Sequence, residues 1–126
     1  MFSHMTIGSN DLERSRRFYD ALFAAVGGRP ATTDHKGRLL YIHKGAMLIV
    51  TKPIDGNPAT VANGATIGFA MDSPEQADAW HAAGVENGGS AIEDPPGVRE
   101  NPAARLYLAY LRDPDGTKLC ALHRLT

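Results

Sequence analysis

The sequence lacks several features that would assign it to a class of protein at once. It has a single cysteine, Cys120, so it cannot form an internal disulfide. Its longest apolar stretches, such as residues 46–50, are far too short to span a bilayer. Its first residues lack the charged start and apolar run of a signal peptide. We therefore expect a cytoplasmic protein that has no membrane partner.

An excess of charge of one sign is also absent. The formal net charge of the 126 residues is -1, and both signs are scattered along the chain. Because no basic stripe is available to neutralise phosphates, nucleic acid is not expected as a partner. The sequence has no G-x-S-x-G nucleophile elbow, no P-loop, no dinucleotide fingerprint and no paired CxxC. Its length and its 43% hydrophobic content fit one globular domain.

What the sequence does contain is the same unit twice. Residues 4–8 (HMTIG) and 66–70 (TIGFA) each predict a short strand that leads to a helix cap, Asp11 in the first copy and Ser73 in the second. A unit of this kind gains a core by packing on its copy. We therefore predict one domain over 1–126, built from modules 1–53 and 65–126 with a linker over 54–64. An aromatic residue follows each cap and a glycine pair ends each helix: Phe18 and Trp80, Gly27-Gly28 and Gly88-Gly89.

Local patterns complete each copy. Apolar residues at a 3.6-residue period after Leu12 predict an amphipathic helix, and Pro74 favours a helix start after Ser73. Each half is predicted as a strand, a helix and three further strands. Residues 93–104 hold three prolines and are predicted to be irregular, which makes them a candidate lid. Further strands are predicted at 31–33, 38–42, 46–52, 105–112 and 118–125.

Two motifs carry a resemblance to a known family. One is HMTIG at 4–8 followed by DLERS at 11–15 and Phe18-Tyr19, and the other is RDPDGTKL at 112–119. With these motifs the chain resembles the vicinal oxygen chelate superfamily, which includes glyoxalase I, extradiol dioxygenases and the fosfomycin and bleomycin resistance proteins. The resemblance implies an α+β fold of two paired βαβββ modules, with curled sheets around a cleft, commonly assembled as a homodimer.

The resemblance also implies a divalent metal that acts as a Lewis acid, held by His and Glu residues from the first and last strands of each module. His4 falls on the first of these positions. The repeat and the turns place Thr66, Cys120 and Ile49 on the others, and of these only Cys120 has a side chain that suits a transition metal. No cofactor is therefore expected. A divalent metal, if present, would use His4 and Cys120.

Structural roles compete with functional ones at several of these residues. A lone cysteine in an apolar strand, such as Cys120, is typically a small buried hydrophobe. The repeat aligns Trp80 with Phe18, which favours a place in the core. Asp113 is interpreted as a turn residue and His43 as a solvated one.

Two classes of function remain open, together with a weaker structural role for the dimer. In the first, the cleft binds a small organic molecule without catalysis, as bleomycin resistance proteins do by sequestration. In the second, the protein is a glyoxalase-type lyase or dioxygenase, either metal-dependent or metal-independent with chemistry based on His4 and polar groups of the cleft. The sequence does not identify the substrate. Alternate residues of the strands are predicted to line the ligand cleft: His4, Thr6, Ile49, Thr66, Gly68, Tyr110 and Cys120.

Overall fold

The computed structural model describes all residues from 1 to 126 and contains two helices and nine strands. The first half of the chain forms β1 (Met5–Gly8), α1 (Leu12–Ala25), β2 (Thr32–Thr33), β3 (Leu39–His43) and β4 (Ala46–Thr51). The second half forms β5 (Ile67–Ala70), α2 (Pro74–Glu86), β6 (Ser90–Ala91), β7 (Gly97–Asn101), β8 (Ala104–Arg112) and β9 (Lys118–Arg124).

The strands form two open sheets with matching topology. The first sheet has the order β1-β4-β3-β2, and the second has the order β5-β9-β8-β6. In each sheet the first strand of the module is parallel to the last one. Thr6 lies opposite Ile49 in the first sheet, and Gly68 lies opposite Cys120 in the second. The predicted α+β fold with two repeated modules is confirmed.

Helix α1 forms where its cap and apolar stripe predict it. The side chain of Asp11 accepts a hydrogen bond from the backbone N–H of Arg14 at 3.1 Å, which satisfies a donor of the first turn. Gly27, with φ of 80°, lets the chain leave the helix in a conformation that favours glycine. The stripe faces inward, and its buried members are Ser15, Phe18, Tyr19, Leu22 and Phe23.

Helix α2 packs unusually close to its neighbours. The Ser73 side chain accepts from the N–H of Gln76 at 3.0 Å, and Pro74 occupies the first turn. Gly84 is buried, and a Cβ atom at this position would collide with the Leu111 side chain of β8. The absence of a side chain at Gly84 therefore brings the helix onto the sheet.

Both modules share one core and a polar connection beside it. The core cluster contains Phe18 and Tyr19 from α1 together with Trp80 from α2. The hydroxyl of Tyr19 donates to Oδ2 of Asp113, in the turn between β8 and β9, at 2.6 Å. Asp113 thus does more than shape its own turn, because it also holds the second module against the first.

The predicted irregular segment 93–104 needs correction. Residues 97–101 form β7, which pairs antiparallel with β8 through the first half of that strand, while β6 pairs with its other end. In the second module β6 and β7 both pair with β8, where in the first module β2 alone pairs with β3. Prolines suppress the strand signal here, but Pro95 and Pro96 precede the ladder and Pro102 lies in the turn after it, so none breaks a ladder hydrogen bond.

Neither helix is long and apolar enough to cross a membrane.

Candidate functional site

An apolar cavity of about 360 Å³ lies between the two modules. Of its 19 lining residues, 14 are hydrophobic. The first module contributes the chain up to the start of β1, the end of α1, and β3 and β4 with the turn between them, and the second module contributes β5 with the following residue and Trp80 of α2. The cavity is therefore built from both halves of the repeat and exists only because they pack together.

Aromatic rings form the wall of this cavity. The rings of Phe23 and Tyr41 stack at 4.7 Å with an interplanar angle of 8°. Phe23 also meets Phe69 of the second module edge to face at 6.2 Å, and Phe69 lies 5.9 Å from Trp80. Such pairs hold each other in fixed orientations, so the wall is shaped before any ligand arrives.

A few polar groups lie among these apolar ones. Nδ1 of His4 is 2.8 Å from the Ser3 hydroxyl, and the imidazole is exposed. The ring of His43 meets Phe23 edge to face at 6.0 Å. Lys44 Nζ donates to Asp72 Oδ2 across the modules at 2.6 Å, and this contact lowers the pKa of Asp72. The two imidazoles are therefore the polar groups best placed to orient a ligand.

Tyr41 contributes its ring rather than its hydroxyl to the cavity chemistry. Its O–H donates to Oδ1 of Asp20 at 2.7 Å. Burial, and then the hydrogen bond to Asp20, raise the pKa of Tyr41 far above its ordinary value. The phenol is consequently neutral at physiological pH and already paired.

The structure distributes the predicted cleft residues over different places. His4 and Gly68 line the apolar cavity, and Thr6 lines a second cavity on the first sheet. Ile49, Thr66, Tyr110 and Cys120 line neither of these two cavities. That all seven residues serve one ligand stays a prediction.

Several cavity residues were not predicted as site residues. Trp80 is a core residue, as expected, but it also lines the cavity, together with Phe23 and Phe69. The interpretation of His43 as a solvated turn residue is wrong, because the side chain is half-buried and lines the cavity. No sequence pattern marks these residues, since they meet across the modules.

Cys120 lies on the second sheet beside Gly68 and Tyr110 in the strand register. It is buried, and that burial raises the pKa of its thiol despite a hydrogen bond with Tyr110 that lowers it. Lys118 lies over the Tyr110 ring at 4.9 Å and pairs with Glu93. The thiol is thus protonated at neutral pH, which argues against a nucleophilic role.

The residues present in one chain do not fit the divalent metal that the resemblance implies. No three His, Cys, Asp or Glu side chains come together in a way that would hold an ion. Of the four implied positions, one carries Thr66, which offers only a hydroxyl, and another carries Ile49, which offers no metal-binding atom. Metal sites in proteins need three or four such donors.

Comparison with known proteins identifies the family. The model of the Glyoxalase/Bleomycin resistance protein/Dioxygenase superfamily matches residues 1–121, and the chain belongs to this superfamily. A crystal structure of a glyoxalase/bleomycin resistance protein from Albidiferax ferrireducens T118 is 54% identical. That match covers 98% of this chain and 99% of the other, with a TM-score of 0.94. No match was found among curated proteins.

More distant structures share the fold. A glyoxalase-related enzyme from Fulvimarina pelagi is 20% identical over 98% of this chain and 87% of its own, with a TM-score of 0.71. A family enzyme from Burkholderia phytofirmans PsJN is 16% identical over 98% of both chains, with a TM-score of 0.73. At this level of identity the likeness concerns the fold alone.

Proposed function

We propose that the protein binds a small, largely apolar organic molecule in the cavity between its modules, and does so without a metal. The observation that carries this proposal is the cavity itself, whose volume and mostly apolar lining are typical of small-molecule sites. Its aromatic wall suits a planar or branched apolar body. His4 and His43 would fix the orientation of one or two polar atoms.

Ala46 is the position at which this proposal can be tested. It lies on β4 two residues before Leu48, so the two side chains point to the same face of the sheet, and both residues line the cavity. Ala46 is exposed, so its side chain lies at the open edge of the cavity. A larger side chain at this position should therefore narrow the cavity without displacing the core.

A second candidate function is a glyoxalase-type lyase or dioxygenase, which membership of the superfamily favours. The donors within one chain do not support a metal site, so this candidate would depend on His4 and other polar groups of the cavity. A homodimer and a cytoplasmic location also stay predictions.

Titration with N-phenylnaphthylamine, a neutral apolar fluorophore, tests the binding proposal. The fluorophore should show saturable enhancement with the wild-type protein. Ala46→Leu should weaken its binding by about tenfold, which corresponds to 1.4 kcal/mol. Ala82→Leu is the matched control, because it makes the same substitution at an exposed position of α2 outside the cavity lining.

Equal affinity for the wild type and Ala46→Leu would contradict this site. Turnover of a methylglyoxal–thiol adduct or a catechol, lost in His4→Ala, would instead favour the catalytic candidate.

A further inference from the structure

A second cavity, of about 680 Å³, lies on the first sheet and shares no lining residue with the apolar one. Thr6, Gly8 and Thr51 line it from β1 and β4. Thr6 and Thr51 alternate along their strands with core residues such as Val50, so they point away from the helices. The segment after β4 forms the facing wall.

The charge of this cavity is opposite to that of the whole chain. Three cationic side chains line it, Lys36, Arg38 and Lys52, against one carboxylate, Asp55. The lining thus carries three positive charges against one negative, and Asp34, which lies outside the lining, pairs with Arg38 and offsets one of the three. The local balance stays positive, while the chain has a net charge of -1. Neither Lys36 nor Lys52 takes part in any ion pair.

Arg38 is held in a fixed orientation with donors to spare. Its Nε donates to Oδ2 of Asp34 at 2.6 Å, whereas its two terminal nitrogens donate to no protein group. Burial opposes ionisation of Asp34, but hydrogen bonds from Arg38 and Lys36 lower its pKa to about 2. An oriented guanidinium with free terminal nitrogens suits two-pronged binding of an oxyanion.

The facing wall is anchored rather than loose. The side-chain amide of Asn10 makes two hydrogen bonds with the backbone of Ala59: its Oδ1 accepts from the N–H at 2.7 Å, and its Nδ2 donates to the carbonyl at 3.2 Å. Ala59 packs so closely on β1 that a Cβ atom on Gly8 would lie 2.8 Å from the Ala59 Cβ. The carboxylate of Asp55 accepts from the N–H of Asn57 at 2.9 Å, which ties it to its own turn.

We propose that this cavity binds a small molecule that carries two or more negative charges on oxyanion groups, such as a phosphate ester or a polycarboxylate. Arg38 supplies the oriented donors, and Lys36 and Lys52 neutralise the remaining charge. The hydroxyls of Thr6 and Thr60, which make no hydrogen bond within the protein, complete the donor set. The site is independent of the apolar cavity.

Calorimetric titration with pyrophosphate and, separately, with citrate tests the proposal at constant ionic strength. At least one anion should bind saturably with a Kd below about 1 mM, and the affinity should fall as sodium chloride is added. Whichever anion binds more tightly assigns the oxyanion as phosphate or carboxylate. The double variant Lys36→Gln with Lys52→Gln should lose at least about tenfold in affinity.

The matched control is the double variant Arg29→Gln with Arg124→Gln, which removes the same charge outside the cavity lining. It should bind like the wild type, and all variants should keep the melting temperature of the free protein. Absence of binding for both anions, or an equal loss in the control, would overturn the proposal. Ala46→Leu should not affect anion binding, because Ala46 lies outside this cavity, so the two cavities are tested separately.

Discussion

The buried hydrogen bond between Tyr19 and Asp113 gives the most quantitative prediction for stability. Tyr19 is fully buried and Asp113 is 4% exposed, so no water is available to replace a lost partner. Tyr19→Phe keeps the ring and removes the donor to Oδ2, while Oδ1 still accepts from Asp115 and Thr117 at 2.9 Å. Hydrogen bonds to charged groups contribute about 1.5–3 kcal/mol, so we expect a loss of about 2 kcal/mol.

The stability lost in Tyr19→Phe should depend on pH. Burial raises the pKa of Asp113 above its ordinary value of 3.8, although the Tyr19 hydrogen bond lowers it. Because the pKa of Asp113 is higher in the folded state than in the unfolded state, protonation of Asp113 favours folding. This stabilisation is fully present below pH 3.8 and is lost as the pH rises through the folded-state pKa. Removing the Tyr19 hydroxyl raises the folded-state pKa of Asp113 further, so ionised Asp113 costs the variant more than the wild type. The difference between wild type and Tyr19→Phe should therefore shrink from neutral pH to about pH 4.

Urea denaturation at several pH values measures both effects. Tyr107→Phe is the matched control, because the Tyr107 hydroxyl also donates to a carboxylate, Asp78, at 2.6 Å but at an exposed site. Its removal should cost less than about 0.5 kcal/mol, since water replaces the lost donor. Equal losses for the two variants, or a Tyr19→Phe penalty that grows on acidification, would refute this account of the module contact.

Two further predictions concern packing and thiol reactivity. Gly84→Ala should lower the free energy of unfolding by about 1–3 kcal/mol, because the added methyl group meets Leu111, whereas Gly68→Ala should have little effect. Urea titration compares the two variants, and equal losses of stability would contradict the packing argument. Iodoacetamide should modify Cys120 slowly in the folded protein and rapidly in urea, because burial raises the pKa of the thiol. Mass spectrometry follows the reaction, and fast modification of the folded protein would show an activated thiol instead.

The sequence predicts the helices well because their signals are local. Asp11 and Ser73 cap the helices that they predict, and the apolar stripe of α1 is the one that is buried. Strand β7 could not be predicted in the same way. Its residues carry alternating charge between prolines, and it exists because it pairs with β8 along one edge.

The candidate site is predicted only in part, for a related reason. Strand alternation predicts that Thr6 and Cys120 line a ligand cleft, and the register places both residues on sheet faces away from the core. That they serve one ligand stays a prediction. The apolar cavity, however, is formed where Phe23 of one module meets Phe69 of the other. Contacts between modules depend on how they dock, which no local pattern encodes.

A crystal structure with bound N-phenylnaphthylamine tests the central claim most directly. We predict density for the fluorophore between the modules, against the rings of Phe23 and Phe69 and within reach of His4, with no metal ion beside it. Density for the fluorophore on the outer face of the second sheet, over Tyr110 and Cys120, or an ion bound to His4, would contradict the account.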